Sequence, residues 1–327
     1  MTAGTGPVRW GILSTAHINE KLLAGAALSD ELDVVAVGSR DLGRARAFAE
    51  RHGNPTAYGS YEELLADPAV EAIYNPLPNT LHCEWSIRAL EAGKHVLCEK
   101  PMSSSAAEVE GAFDAAERTG LLLAEAFMYR HHPQTKRLGE LVAEGAIGDL
   151  RVVRSVFSYG LFDESNIRLR TDLDGGSLMD VGCYCISGSR LLGGEPEAVF
   201  GRAYIGPTGT DWAFTGSLRF PGDVLALFDC ATCLSDRDEL EAIGSEGSLF
   251  LDDPWHCVNP VIELRRPGGV ERIAIEASNP YQLELEDLGR AIRTGSTPLL
   301  GREDAIAQAL VIAALRRSAA DGRDAAP

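Results

Sequence analysis

The chain has 327 residues, 45% of them hydrophobic and 24% charged, with 30 Lys and Arg against 48 Asp and Glu. At roughly 100–200 residues per domain, that length fits two domains or one large one, and the apolar share excludes a globally disordered chain. A net charge of -18 repels phosphate backbones and anionic lipid, which argues against a nucleic-acid binder or a polybasic membrane protein. No apolar run reaches the ~20 residues of a spanning helix, and residues 1–9 hold no basic stretch followed by an apolar one. A soluble cytoplasmic protein is expected. The seven cysteines are scattered and odd in number, unlike a disulfide framework. Cys230 and Cys233 have C-x-x-C spacing, but residues three apart on a strand point to opposite faces. Two packed thiols are expected there rather than a redox or zinc pair, and no metal site is expected elsewhere.

The first third alternates strand and helix with short connections. A strand over 8–13 leads to a helix over about 17–28, and a strand over 33–38 to a helix over 42–51. A short strand at 56–58 precedes a helix at 61–66, and a strand at 70–74 precedes a helix at 80–92 with Asn79 as its cap. Segments 95–98, 106–119 and 121–124 add a strand, a helix and a strand. This alternation predicts a parallel sheet covered on both faces, doubly wound by right-handed crossovers. Beyond Ala126 the texture changes. A helix over 133–144 precedes a long strand over 149–159, and a loop over 160–175 leads to a helix over about 177–192. Hairpin signals at Pro221-Gly222-Asp223 and over 244–247 then predict a mainly antiparallel sheet. The run 224–234 reads as one strand apolar on both faces, needing local helices on one side and a second subunit as a candidate cover for the other. Helices over 282–293 and 302–317 close the chain.

The first strand ends in Gly11-Ile12-Leu13-Ser14-Thr15-Ala16, a reduced dinucleotide fingerprint in which Leu13 replaces the middle glycine. Ser14 and Thr15 put hydroxyls and backbone N–H groups at a helix N-terminus, where the dipole favours an anion. An ordinary strand-to-helix turn is the competing reading; placement in the first βα unit favours phosphate. The second strand ends Val37-Gly38-Ser39-Arg40-Asp41. Where NAD enzymes usually carry a carboxylate, this chain offers Ser39 and Arg40, with Arg44 a turn further on. That set suits a 2′-phosphate and hence NADP, while Asp41 keeps NAD open. The fourth strand ends Tyr74-Asn75-Pro76-Leu77-Pro78-Asn79, either a stiffened ligand loop or simply a rigid turn. His82 beyond it is a ligand contact or a capping histidine.

The fifth strand runs straight into Glu99-Lys100-Pro101, placing two charges at the ligand edge of the sheet. A lysine there can orient a carbonyl or hydroxyl and lower the pKa of a neighbouring acid. The proline fixes the turn and makes a cis Lys100–Pro101 bond accessible. Further on, Gly175-Gly176-Ser177-Leu178-Met179-Asp180-Val181-Gly182-Cys183-Tyr184 opens a helix. Asp180 and Tyr184, four apart, share a helical face. They are either an acid–phenol pair able to protonate an alkoxide or a capping aspartate and a packed tyrosine.

Taken together, these residues resemble the glucose–fructose oxidoreductase / inositol dehydrogenase / rhizopine-catabolism (Gfo/Idh/MocA) family over about residues 8–317. Glu99-Lys100-Pro101, the glycine-rich run at 175–184 and Ala124-Glu125-Ala126-Phe127-Met128-Tyr129-Arg130 carry the resemblance. It implies an α/β protein: a Rossmann domain at 1–125, then a C-terminal α/β domain at 126–327 with a mainly antiparallel open sheet. The terminal helices can pack back on the first domain. That sheet often forms the subunit interface, implying a homodimer or homotetramer. The resemblance also implies that Lys100 is the catalytic lysine, Asp180 the substrate-binding residue and Tyr184 the proton donor. Tyr184, where many inositol-type members carry histidine, is similar to the branch of dimeric dihydrodiol dehydrogenase, NADP-dependent xylose dehydrogenases and aldose oxidoreductases. Asn166-Ile167-Arg168 is similar to a segment of that branch that closes over nicotinamide and substrate. Cofactor contacts are then expected from Gly11, Ser14, Thr15, Ala16, Ser39, Arg40, Arg44, Pro76, Leu77, Asn79, His82, Glu99, Lys100 and Arg168.

The expected activity is NADP(H)-dependent hydride transfer, with NAD the lesser option, to or from a small sugar or polyol. Tyr184 donates the proton, Lys100 lowers its pKa, and Asp180 positions substrate hydroxyls. Two rivals remain open. One is a tightly held cofactor cycling between two sugars or assisting an elimination; the other is a nucleotide-sensing regulatory protein without turnover.

Overall fold

A computed structural model describes residues 6–53 and 56–327. Of the stretch read for an export signal, residues 1–5 lie outside the described residues. Contacts divide the chain into two compact units. The first takes the described residues up to Ser103, with 107–128 and 279–306; the second takes 104–106, 129–278 and 307–327.

In the first unit, β1 (Val8–Leu13), β2 (Leu32–Gly38), β3 (Thr56–Tyr58), β4 (Ala72–Asn75), β5 (His95–Glu99) and β6 (Leu123–Ala126) form one parallel sheet. Its order, β3-β2-β1-β4-β5-β6, is that of a doubly wound Rossmann sheet. Helices α1 (Asn19–Ala26), α2 (Leu42–His52), α3 (Tyr61–Leu65), α4 (His82–Glu91) and α5 (Ala106–Thr119) make the crossovers. Several expected boundaries move, the strand expected at 70–74 to Ala72–Asn75 and that at 121–124 to Leu123–Ala126 among them, and two shifts have a visible cause. Residues 16–18 form a tight turn, with Asn19 N–H donating to Ala16 O at 3.1 Å, so α1 starts at Asn19 rather than 17. Asn79 opens a 3-10 turn, Asn79–Leu81, instead of capping α4, because the stiff Pro76–Pro78 stretch enters a tighter turn first.

The second unit begins with α6 (Pro133–Ala143) and β7 (Leu150–Gly160), followed by α7 (Cys183–Gly193). Strands β8 (Ala198–Ile205), β9 (Asp211–Arg219), β10 (Leu225–Ala231), β11 (Cys233–Gly244), β12 (Ser248–Leu251), β13 (Val261–Arg266) and β14 (Gly269–Ala274) complete its sheet. The order is β14-β13-β12-β11-β7-β10-β9-β8, antiparallel throughout except for the β7–β10 pair. The run 224–234 is not one strand. Thr232 carries the chain past the end of β7, donating to Trp212 O while its own carbonyl accepts from Leu161 N–H, and β11 descends on the other side. Cys230 and Cys233 therefore lie on different strands as free thiols. One face of β10 is buried through Ala226, Phe228 and Cys230; on the other, Leu225 and Leu227 are about half exposed. A shallow depression on that open face is lined by Arg154, Leu227, Asp229, Arg237, Glu239 and Phe250.

Helix α8 (Pro280–Thr294) returns to the first unit, and α9 (Arg302–Asp321) begins there and ends in the second. The alternation of Val8, Trp10 and Ile12 along β1 turns one face to a core shared with Leu22, Phe48, Leu97, Leu285 and Leu288. The fold class is thus α/β, a parallel Rossmann sheet followed by a mainly antiparallel one. No helix of the described residues is long and apolar enough to cross a membrane.

Candidate active site

Parallel sheets present their ligand sites at the carboxyl ends of the strands, and the first unit gathers its candidate residues there. Gly11 lies inside β1, where a Cβ would sit 3.1 Å from the side chains of Leu64, Val70 and Ile73. Its smallness serves sheet-to-helix packing. The turn itself is made by Ser14, which takes a positive φ of 78°. It is pinned by Ser14 N–H to Gly38 O at 2.8 Å and by Asn19 Nδ2 to Ser14 O at 2.9 Å. Thr15 and Ala16 follow, half-buried.

At the end of β2, Ser39 is buried and its Oγ accepts from Asp41 N–H at 3.3 Å. Asp41 caps α2, with Oδ1 accepting from Arg44 N–H at 2.8 Å. That commits one oxygen of the only carboxylate at this strand end, while Arg40 and Arg44 stay exposed. Burial pushes the Tyr61 phenol up, and the Arg40 guanidinium, bonded to it, pulls the other way.

The β4 and β5 ends are tied together. Buried Asn75 donates through Nδ2 to His82 O at 3.0 Å and Ser86 Oγ at 3.1 Å. Pro76 and Leu77 are buried, and Asn79 is half-buried. His82, expected at a ligand or cap, is 1% exposed, with Nδ1 2.9 Å from Pro101 O. Burial lowers its pKa to about 4, so it is a neutral strut for the cis Lys100–Pro101 loop. That loop is held again by Met102 N–H on Glu125 Oε1 at 2.9 Å. Glu99 accepts from the phenol of buried Tyr74 through Oε1 and from Lys100 N–H at 3.3 Å through Oε2. Burial, with Glu99 adding to it, pushes the Tyr74 phenol well up. Beside this group lies Glu284, 1% exposed, neither of whose oxygens has a hydrogen-bond partner among the described residues. Burial, then the charge of Glu99, lifts its carboxyl well above the usual range.

In the second unit, the glycine-rich run is anchored from a distance. Asp211 Oδ2 accepts from Ser177 Oγ at 2.8 Å and Leu178 N–H at 2.7 Å. Gly176 has φ 118°, and a Cβ on it would lie 2.0 Å from Asp211 Oδ1, so only glycine fits beside this anchor. The next turn, Leu178–Gly182, is π-type. Asp180 lies within this turn and Tyr184 in α7 just beyond it. Asp180 is not a cap. Its Oδ2 accepts from Tyr159 O–H at 2.5 Å and its Oδ1 from Arg168 Nε at 3.1 Å. Tyr184 is 6% exposed, its ring against those of Tyr129, Phe157 and Trp255 at 5.8, 5.3 and 5.9 Å. Arg168 sits in a 3-10 turn capped by Asn166 and belongs with Asp180 in the second unit, whereas Lys100 belongs to the first. Sequence reasoning missed Tyr159 and Asp211. Neither lies in a motif; only the pairing of a lone Asp with a Gly-Gly turn could have hinted at the second.

The description "oxidoreductase family, NAD-binding Rossmann fold" matches residues 8–127, and "GFO/IDH/MocA C-terminal domain" matches 135–250. The chain belongs to the Gfo/Idh/MocA family. It is an oxidoreductase. Among similar Gfo/Idh/MocA proteins, a D-xylose 1-dehydrogenase (NADP(+)) of Haloferax volcanii is 39% identical, over 96% of this chain and 98% of its own. The human trans-1,2-dihydrobenzene-1,2-diol dehydrogenase is 38% identical, over 78% of this chain and 77% of its own. The crystal structure of KijD10, a 3-ketoreductase from Actinomadura kijaniata in complex with NADP and TDP-benzene, superposes with a TM-score of 0.90. It has 31% identity and covers 95% of this chain and 98% of that one.

Proposed function

We propose that this enzyme is an NADP(H)-dependent oxidoreductase that interconverts a carbonyl and a hydroxyl on a sugar or polyol. Residues 1–125 hold the dinucleotide in this reading, and 126–327 the substrate. The observation that carries the cofactor choice is the β2 end, where Asp41 is occupied as a helix cap and two guanidinium groups remain exposed. A 2′-phosphate fits such a fork of donors. The NADP named for the xylose dehydrogenase and for the KijD10 complex supports the same choice.

Bound nicotinamide supplies or accepts the hydride. The chain's own residues handle the proton and the orientation. Lys100, half-buried after β5, stabilises negative charge at the reacting oxygen and lowers the pKa of Tyr184, which gives or takes the proton. Asp180, its carboxylate fixed by Tyr159 and Arg168, accepts hydrogen bonds from substrate hydroxyls. Ser14, Thr15, Ala16, Ser39, Pro76, Leu77, Asn79 and Glu99 shape the dinucleotide site. The exposed face of the second sheet, with Leu225 and Leu227, pairs with another copy in a homodimer or homotetramer.

The test is turnover. Purified protein is supplied with NADP or NADPH and a panel of aldoses, ketosugars and inositols while the absorbance of reduced nicotinamide is followed. At least one sugar should turn over, faster with NADP than with NAD. Stable NADP binding with no turnover on the entire panel contradicts the reading and favours a nucleotide sensor.

A further inference from the structure

We propose that Tyr159 is a positioning residue for the reaction: its phenol, donating to Asp180 Oδ2, holds the Asp180 carboxylate in place. The inference rests on the function proposed above. Tyr159 lies near the end of β7, and Phe157 two residues before it; alternate strand residues share a face. Phe157 packs edge-on against the Tyr184 ring at 5.3 Å, and Tyr159 reaches Asp180 at 2.5 Å. One face of one central strand thus supports both residues of the acid–phenol pair. This matters because the turn carrying Asp180 is π-type and lacks the regular α-helical ladder. With Arg168 Nε on the other oxygen, the carboxylate is gripped from two directions, which fixes its rotamer more firmly than either bond alone.

Several titratable or charged groups surround this turn within the second unit. They are Tyr159 on β7, Arg168 in its 3-10 turn, Asp211 at the start of β9, Cys230 on β10, and Cys183 and Tyr184 on α7. Arg168 and the Tyr159 hydrogen bond both favour the carboxylate form of Asp180. Burial and the Asp180 charge push the Tyr159 phenol upward, so it remains a donor throughout the working pH range. Removing that donor raises the pH at which Asp180 takes up a proton.

Tyr159→Phe keeps the ring and deletes the donor. We expect it to melt close to wild type and bind NADP with unchanged affinity. Its kcat/KM should fall about tenfold through both a higher KM and a lower kcat. The acid limb of the pH–rate profile should move up by about one unit. In an Asp180→Asn background the same change should cost less than twofold, since the carboxylate it serves is gone. A Tyr159→Phe enzyme within twofold of wild type with an unmoved acid limb overturns the inference. So does an equal loss in both backgrounds, the mark of a merely structural role. A loss as deep as that of Tyr184→Phe also overturns it, since Tyr159 would then be the acid itself. Tyr184→Phe, measured in parallel, reports on the parent reading: full turnover there removes the proposed proton donor whatever Tyr159 does.

Discussion

The two units fix their functional side chains by different means. In the first, the candidates stand at strand ends and combine ties to near neighbours, Asp41 on Arg44 N–H and Glu99 on Lys100 N–H, with ties to adjacent strands such as Tyr74 on Glu99. In the second, they stand on an irregular turn and lean on residues far along the chain. Tyr159 is 21 positions from Asp180, and Asp211 is 33 from Leu178. Local anchoring leaves a motif in the sequence; remote anchoring leaves isolated residues. The contrast also separates the sheets, since the parallel one has both faces covered by its crossovers while the second leaves Leu225 and Leu227 about half exposed.

The deepest loss of activity should come from the first unit's Lys100. Lys100→Ala leaves the His82 and Glu125 ties of the loop in place, so folding and NADP binding should persist while kcat drops about 10²–10⁴-fold. Steady-state kinetics beside a thermal melt checks this. Half the wild-type turnover would remove Lys100 from the mechanism and leave the second unit to supply the chemistry alone.

The remote anchor predicts the largest loss of stability. Gly176→Ala forces a side chain onto Asp211 at a strained φ, and should cost roughly 2–5 kcal/mol in denaturant unfolding. Gly11→Ala, in the first unit, meets only side-chain methyl groups at 3.1 Å and should cost less. If the order reverses, the second unit's turn is not held as described.

A smaller effect tests the local anchor at β2. NADP should exceed NAD by at least about tenfold in kcat/KM, ~1.4 kcal/mol, and Ser39→Asp should reverse the preference by repelling the phosphate and accepting a ribose hydroxyl. A Ser39→Asp enzyme that keeps NADP places the selection elsewhere.

The mildest prediction concerns Glu284. Its carboxyl has a folded pKa raised by burial, so its contribution to stability is complete below about 4.5, the ordinary carboxylate value. It is lost as pH rises through the folded value, because the unfolded chain ionises first. Glu284→Gln cannot ionise. It should melt higher than wild type at about pH 8, with the gap closing towards about pH 4. A gap that widens on acidification would mean that Glu284 is ionised and paired in the folded protein.

Much of the first unit was legible in the sequence because parallel βα units repeat strand, turn and helix at short range. Lys100 stood out as a charge directly after a buried strand, and Ser39 and Arg40 as residues standing where NAD enzymes usually carry a carboxylate. His82 was not legible in the same way: it reads as a helix-start histidine, and only the tertiary fold buries it under Pro101. The Thr232 corner was hidden because no glycine, proline or asparagine marks it, and the apolar pattern runs on across both strands. The π-turn at Leu178–Gly182 was equally silent, since its sequence satisfies an ordinary helix and its register is set by Asp211.

In the proposed reaction, hydride passes between NADP and a sugar carbon with Tyr184 handling the proton. It is tested most directly by following the label. NADPH carrying deuterium at both C4 positions of the nicotinamide is given to the enzyme with a ketosugar panel, and products are read by mass spectrometry. A single deuterium should appear on a carbinol carbon of one or more sugars, at least about 10²-fold more slowly with Tyr184→Phe. Label that stays on the cofactor, or transfer by Tyr184→Phe at the wild-type rate, would contradict it.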